Sequence, residues 1–238
     1  MEKLLLLMVL FATCYAAPQD LSGKVFVFPK QTSTAHVKLL TNKSKFNSVT
    51  ACLRFFTDLS RQYSLFSLAT PSHSNDFLIF KINSKDEIDA SVRGKNARFL
   101  AVSLERNAWH SMCATWTSDT GVAQLWVDGK PTVKRFIHSG RPITGRPITI
   151  LGQEQDSHGG KFDAQQSFIG MISEVHMWDY VLSPSEIQLY MSSDHFIPGN
   201  VFNWRELEFE IKGLVLVEDE HRLEISPIPI RSDTWRLY

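Results

Sequence analysis

The sequence predicts an all-β protein, a two-sheet antiparallel jelly-roll sandwich carrying one short helix. Three observations lead there. Runs rich in β-branched and aromatic residues recur at regular spacing, Gly, Pro, Asn or Asp bounds each run, and a single segment has helical spacing. In order, the expected strands are residues 24–28, 37–40, 49–56, 64–69, 77–82, 109–116, 122–127, 148–151 and 168–178. Asp128-Gly129, between 122–127 and Pro131-Thr132-Val133, marks a tight hairpin, because that pair suits a turn with positive φ at both central positions. Gly140-Arg141-Pro142-Ile143-Thr144 is repeated at once as Gly145-Arg146-Pro147-Ile148-Thr149. The repeat is too short for a solenoid; its first copy reads as a loop and its second as the entry to a strand. The helix opens at Ser183-Pro184-Ser185-Glu186, which supplies an N-cap, a proline at N1 and a glutamate at N3. Ile187, Tyr190 and Met191 then share one side, as in a helix packed on a sheet.

The N-terminus has a different character. Met1-Glu2-Lys3, the apolar run 4–12 and the small residues Ala16-Ala17 make a secretory signal peptide over residues 1–17, and the run is too short to span a bilayer. The expected product is therefore secreted, extracellular and without a membrane span, with one domain over 18–217 and a C-terminal extension over 218–238. Lys plus Arg and Asp plus Glu number 25 each, so bulk charge gives no drive toward nucleic acid, and no sequence-specific nucleic-acid binding is expected. Of three cysteines, Cys14 falls in the leader, and the remaining even pair, Cys52 and Cys113, implies one disulfide in an oxidising compartment. Asn42-Lys43-Ser44 is a glycosylation acceptor.

The densest set of oxygen ligands is the glycine-broken stretch 152–166, Gly-Gln-Glu-Gln-Asp-Ser-His-Gly-Gly-Lys-Phe-Asp-Ala-Gln-Gln. Calcium takes six to eight hard oxygen ligands, and a loop that supplies both side-chain and backbone oxygens suits it, though the spacing is not that of an EF-hand. Composition alone leaves two readings open, a calcium loop and a solvated polar loop.

His110-Ser111-Met112-Cys113-Ala114-Thr115-Trp116-Thr117-Ser118 resembles the His-x-Cys-x-Ser/Thr-Trp-x-Ser pattern of the pentraxin family. Further matches follow in chain order: 20–29 near the mature start, Gln153-Glu154-Gln155-Asp156, Met177-Trp178-Asp179 and Asn203-Trp204-Arg205. The resemblance, to the short pentraxins of the serum amyloid P and C-reactive protein group, covers residues 20–217. It implies a lectin-like jelly roll with a Cys52–Cys113 bridge, assembled as a homopentamer, with the helix on one face and two Ca2+ per subunit on the other. Carried over by position, the calcium ligands are Asn75, Glu154, the Gln155 carbonyl, Asp156, Asp163 and Gln166. Ser74 stands where the family has Asp, and Asp76 follows Asn75, so these two are doubtful ligands. Phe80 falls at the apolar wall beside the bound ligand, and Asn96 at the position of an acid that faces choline.

These matches imply a pattern-recognition protein of innate immunity and the acute phase. It would bind anionic small molecules or glycans, phosphoethanolamine ahead of phosphocholine, and exposed membrane or nuclear debris. An oligomeric adaptor for complement or Fc receptors, with a weakened calcium site, is the alternative. An enzyme reading would need Glu154 and Asp156 as the paired carboxyls of a glycoside hydrolase. The glutamine neighbours and the glycine break suit metal coordination better, and no Gly-x-Ser-x-Gly or His-Glu-x-x-His motif is present, so no enzyme is expected.

Overall fold

The computed structural model describes residues 17–82, 86–193 and 195–220. The expected leader, apart from its last residue, and residues 221–238 of the expected extension lie outside them. The strands are β1 Lys24–Phe28, β2 His36–Leu39, β3 Lys45–Phe46, β4 Ser48–Phe56, β5 Tyr63–Thr70 and β6 His73–Lys81. There follow β7 Glu87–Val92, β8 Lys95–Leu100, β9 Trp109–Thr117, β10 Val122–Val127, β11 Lys130–Pro131 and β12 Arg135–Phe136. The last are β13 Ile143–Thr144, β14 Ile148–Leu151, β15 Gly170–Trp178, then helix α1 Pro184–Met191, β16 Phe209–Lys212 and β17 Leu216–Asp219.

One sheet runs β11-β10-β9-β4-β15-β1-β17, with β12 also paired to β10; the other runs β16-β2-β14-β5-β6-β7-β8. Strands adjacent in space but distant in sequence, such as β4 beside β15 and β2 beside β14, are the crossovers of a jelly roll. The inner faces meet in a core that includes Phe26, Phe66, Phe77, Phe99, Trp116 and Trp204, all fully buried. Phe26 meets the rings of Trp204 and Phe209 edge-on, at 5.1 and 5.0 Å, the geometry that aromatic quadrupoles favour.

The predicted turns and caps take the expected form. Asp128 and Gly129 have φ of 49° and 78°, and Val127 pairs with Lys130 across them. Ser183 Oγ accepts from Glu186 N at 3.3 Å while Ser183 N donates to Glu186 Oε2 at 2.7 Å, closing the capping box. Cys52 and Cys113 are bonded as directly opposed residues of β4 and β9, with Cα atoms 4.1 Å apart. The bridge lies on the outer face of the first sheet in a second apolar cluster with Trp126, Trp178, Leu182, Ile187 and Tyr190. Helix α1 covers that cluster.

Several elements were not legible. β7 and β8 were missed because Glu87, Asp89, Lys95, Asn96 and Arg98 interrupt any apolar run, although β7 alternates strictly from Glu87 to Val92 and Arg93-Gly94 forms a turn with φ of 50° and 69°. The first copy of the tandem repeat holds the short strand β13 rather than only a loop. Trp109 is half-buried, with the Arg54 guanidinium 5.1 Å from its ring centre. Glu218 and Asp219 pair with Val25 and Lys24, so the expected boundary after residue 217 falls inside β17.

Candidate functional site

The stretch from Gly152 to Gln166 leaves β14 and folds back over β5 and β14. Two glutamine side chains pin it. Gln155 Nε2 donates to Ser67 O at 2.9 Å and to Ile148 O at 3.0 Å, while its Oε1 accepts from Gly159 N at 2.9 Å. Gln153 Nε2 donates to Thr32 O at 2.7 Å and Ala35 O at 2.9 Å. Both side chains are completely buried, so these bonds replace the water that a buried amide would otherwise lose. Gly152 is required: it has φ of 89°, and a Cβ there would come within 2.3 Å of the Phe28 ring. At the far end Asp163 caps a single 3-10 turn, its Oδ1 accepting from Gln165 N at 2.9 Å. Arg61 holds that end, donating to Gln165 O at 3.1 Å and Ser167 O at 2.6 Å.

Within this frame Glu154 is only 4% exposed. Burial drives its carboxyl above the usual range, the negative charges of Asp156 and Asp163 push the same way, and a hydrogen bond from the Asn75 side chain opposes them. Asn75, near the start of β6, is thereby brought to three acidic residues from a loop some eighty positions away in sequence. Asn75 Oδ1, Glu154 Oε2 and Gln166 Oε1 are each buried without a hydrogen-bond partner. A buried acceptor left unpaired costs free energy, and Asn75 and Glu154 carry two of them where the charges of Asp156 and Asp163 also act. Among the described residues no three His, Cys, Asp or Glu side chains form a metal-ligating group.

The remaining candidates fall elsewhere. Asp76 is fully buried, its Oδ2 accepting from Thr70 Oγ1, while its Oδ1 lies 3.6 Å from His73 Nδ1 without a hydrogen-bond partner; Ser74 is half-buried. Phe80 is half-buried on β6 directly opposite Asp89 of β7, and Arg98 takes both oxygens of Asp89 at 3.1 and 3.2 Å. Asn96 pairs with Ser91 across β7 and β8. The sequon residue Asn42 is exposed between β2 and β3. His110 is structural, with Nδ1 2.7 Å from Asp128 Oδ2 and Nε2 2.8 Å from Glu105 O. Arg61 and Ser67, which fix the loop, were missed, because each lies far along the chain and carries no local motif.

Fold and site together define a jelly-roll sandwich with an oxygen-rich loop folded over β5 and β14. The Pentaxin family model matches residues 24–219. The chain is 44% identical over 203 residues to the serum amyloid P-component of Bos taurus, covering 85% of this chain and 90% of that one. It is 42% identical over 226 residues to the C-reactive protein of Mus musculus, covering 92% and 99%. The heptameric SAP-like pentraxin of Limulus polyphemus superposes with a TM-score of 0.78 at 23% identity, covering 85% of this chain and 97% of that one, which shows a shared fold. This chain belongs to the pentraxin family. In the family's sequence pattern its Cys113, Thr115, Trp116 and Ser118 hold their places, while Ser111 stands at the histidine position and His110 lies one residue earlier.

Proposed function

We propose that this pentraxin is a secreted, calcium-dependent pattern-recognition protein that binds phosphate- or carboxylate-bearing ligands and is not an enzyme. Glu154 carries the reading: it is a buried carboxylate with an unpartnered oxygen, pressed by two further carboxylates. Asn75, Glu154, the Gln155 carbonyl, Asp156, Asp163 and Gln166 would hold a pair of calcium ions. Bound there, two ions bring four positive charges against three carboxylates and leave a net positive centre for an anionic group. Phe80 would wall one side of that ligand. The nearest acid on β7 to Phe80, Asp89, is engaged by Arg98, and Asn96 is neutral, so no free carboxylate would meet a choline ammonium. Phosphoethanolamine and acidic glycans are then favoured over phosphocholine.

Membership of the family and the heptameric assembly named for the Limulus neighbour support a ring in which each protomer offers this site, and several weak sites gain avidity on a repetitive surface. A homopentamer is the proposed form, with complement or Fc receptors as contacts of the helix face. Secretion accords with the leader-like residues 1–17, and no helix among the described residues is long and apolar enough to cross a membrane. Retention on immobilised phosphoethanolamine tests the reading. The protein should bind in calcium, elute with chelator, and be displaced less readily by phosphocholine; retention unaffected by chelator would contradict it and favour the calcium-independent adaptor.

A further inference from the structure

His176 lies on β15 beside Cys52 of β4, on the face that α1 covers. It is completely buried. Its ring stacks on Trp178 at 5.7 Å and meets Tyr190 of α1 at 6.0 Å and Phe196 at 5.0 Å edge-on. Nδ1 accepts from Gly199 N at 3.3 Å, which places the proton of the neutral ring on Nε2. Nε2 has no hydrogen-bond partner and sits 3.7 Å from Glu174 Oε2. Glu174 itself is held at φ of 50°, at the register shift between Ser173 and His176. The same residue anchors the helix, because Tyr190 Oη donates to Glu174 O at 2.7 Å. At its far side α1 is tied to the β10–β11 turn through Gln188 Nε2 to Gly129 O at 2.6 Å.

The charged and titratable groups around the ring are few. Glu174 on β15 favours a charged ring, Arg205 in the turn after Asn203 disfavours it, and Tyr190 on α1 is itself kept neutral by burial. Arg54 on β4 acts on Tyr190, and His195 beside Phe196 is exposed. Burial is the largest influence and holds the His176 ring below the usual histidine range.

We propose that His176 is an acid-operated latch: its protonation releases α1 and the segment reaching Gly199 from the outer face of the first sheet. A charged imidazolium cannot accept from Gly199 N, and enclosed by Trp178, Tyr190 and Phe196 it has one incomplete counter-ion. Opening returns the ring to water and uncovers the apolar cluster around the disulfide, so a partner that docks on α1 meets a different surface in acid. The latch is independent of the calcium reading, since it lies on the other sheet.

The direction follows from linkage. The ring binds a proton more weakly closed than open, so the open state gains as pH falls below about 6.5 and the gain ceases below the closed-state value. Between about pH 7.4 and 5.5 the equilibrium should shift toward the open state, with a ceiling of roughly tenfold. Hydrogen exchange of residues 184–199 in the calcium-saturated protein, corrected for intrinsic rates, reads this directly. Wild type should open more at the lower pH, by up to about tenfold, His176→Asn should show no such rise, and Glu174→Gln should extend the rise to lower pH. The ring's own titration by NMR in the unaltered protein should have a midpoint below the ordinary histidine range. A pH-independent wild type, the same rise in His176→Asn, or an ordinary midpoint would each overturn the latch.

Discussion

Glu154→Gln should weaken calcium binding on the order of 100-fold or more in the intact protein, because it removes the buried carboxylate of the proposed calcium site. Without calcium the same substitution should have the opposite effect on stability. The Glu154 carboxyl is raised by burial, with Asp156 and Asp163 adding to the shift, so the charged form destabilises the native state. A carboxyl raised in the folded state contributes stability below its unfolded value and loses it as pH rises through the folded value. Calcium-free wild type should therefore gain stability as pH falls from neutral toward the carboxylate range. Glu154→Gln should flatten that gain and melt higher than wild type at neutral pH in chelator, yet lower in calcium. Differential scanning under the four conditions checks the inversion; a variant that melts lower in both would mean that Glu154 only packs.

Removal of the bridge by the double substitution Cys52→Ala and Cys113→Ala should cost about 4 kcal/mol, the chain-entropy value for a loop of this length. The separation is 61 residues, and for a domain near this size the loss corresponds to a fall in Tm of roughly 8 to 16 °C. The bridge also anchors the apolar cluster under α1, so near-ultraviolet signals from Trp126 and Trp178 should change with it. A shift within a few degrees of wild type would show that the paired strands β4 and β9 hold this face without help.

The sandwich was legible because runs of β-branched and aromatic residues mark its buried strands, as in Val25, Phe26, Val27 and Phe28 of β1 or the run Trp109 to Thr117, which is buried on both faces. β7 and β8 escaped notice because neither holds such a run: β7 alternates strictly between polar and apolar residues from Glu87 to Val92, and β8 buries only Ala97 and Phe99. The helix was legible to the residue, since Ser183, Pro184 and Glu186 form a complete local signal. For the site, composition alone marked 152–166 as rich in oxygen donors and left its use open; family resemblance supplied the choice of Asn75. The structure adds the physical link, a hydrogen bond from Asn75 to buried Glu154. No local pattern could supply Arg61, Ser67 or the Asp76 pairing with Thr70, because these are contacts across the sheet. The same holds for His176, which in sequence is one more residue of a strand.

The most direct measurement is a calorimetric titration of calcium into the chelator-stripped protein. The account predicts two ions bound per chain, with Glu154→Gln losing most of the heat and phosphoethanolamine binding only after calcium. No calcium uptake by wild type would contradict it, leaving the buried oxygens of Asn75, Glu154 and Gln166 as relics of a site that no longer takes metal.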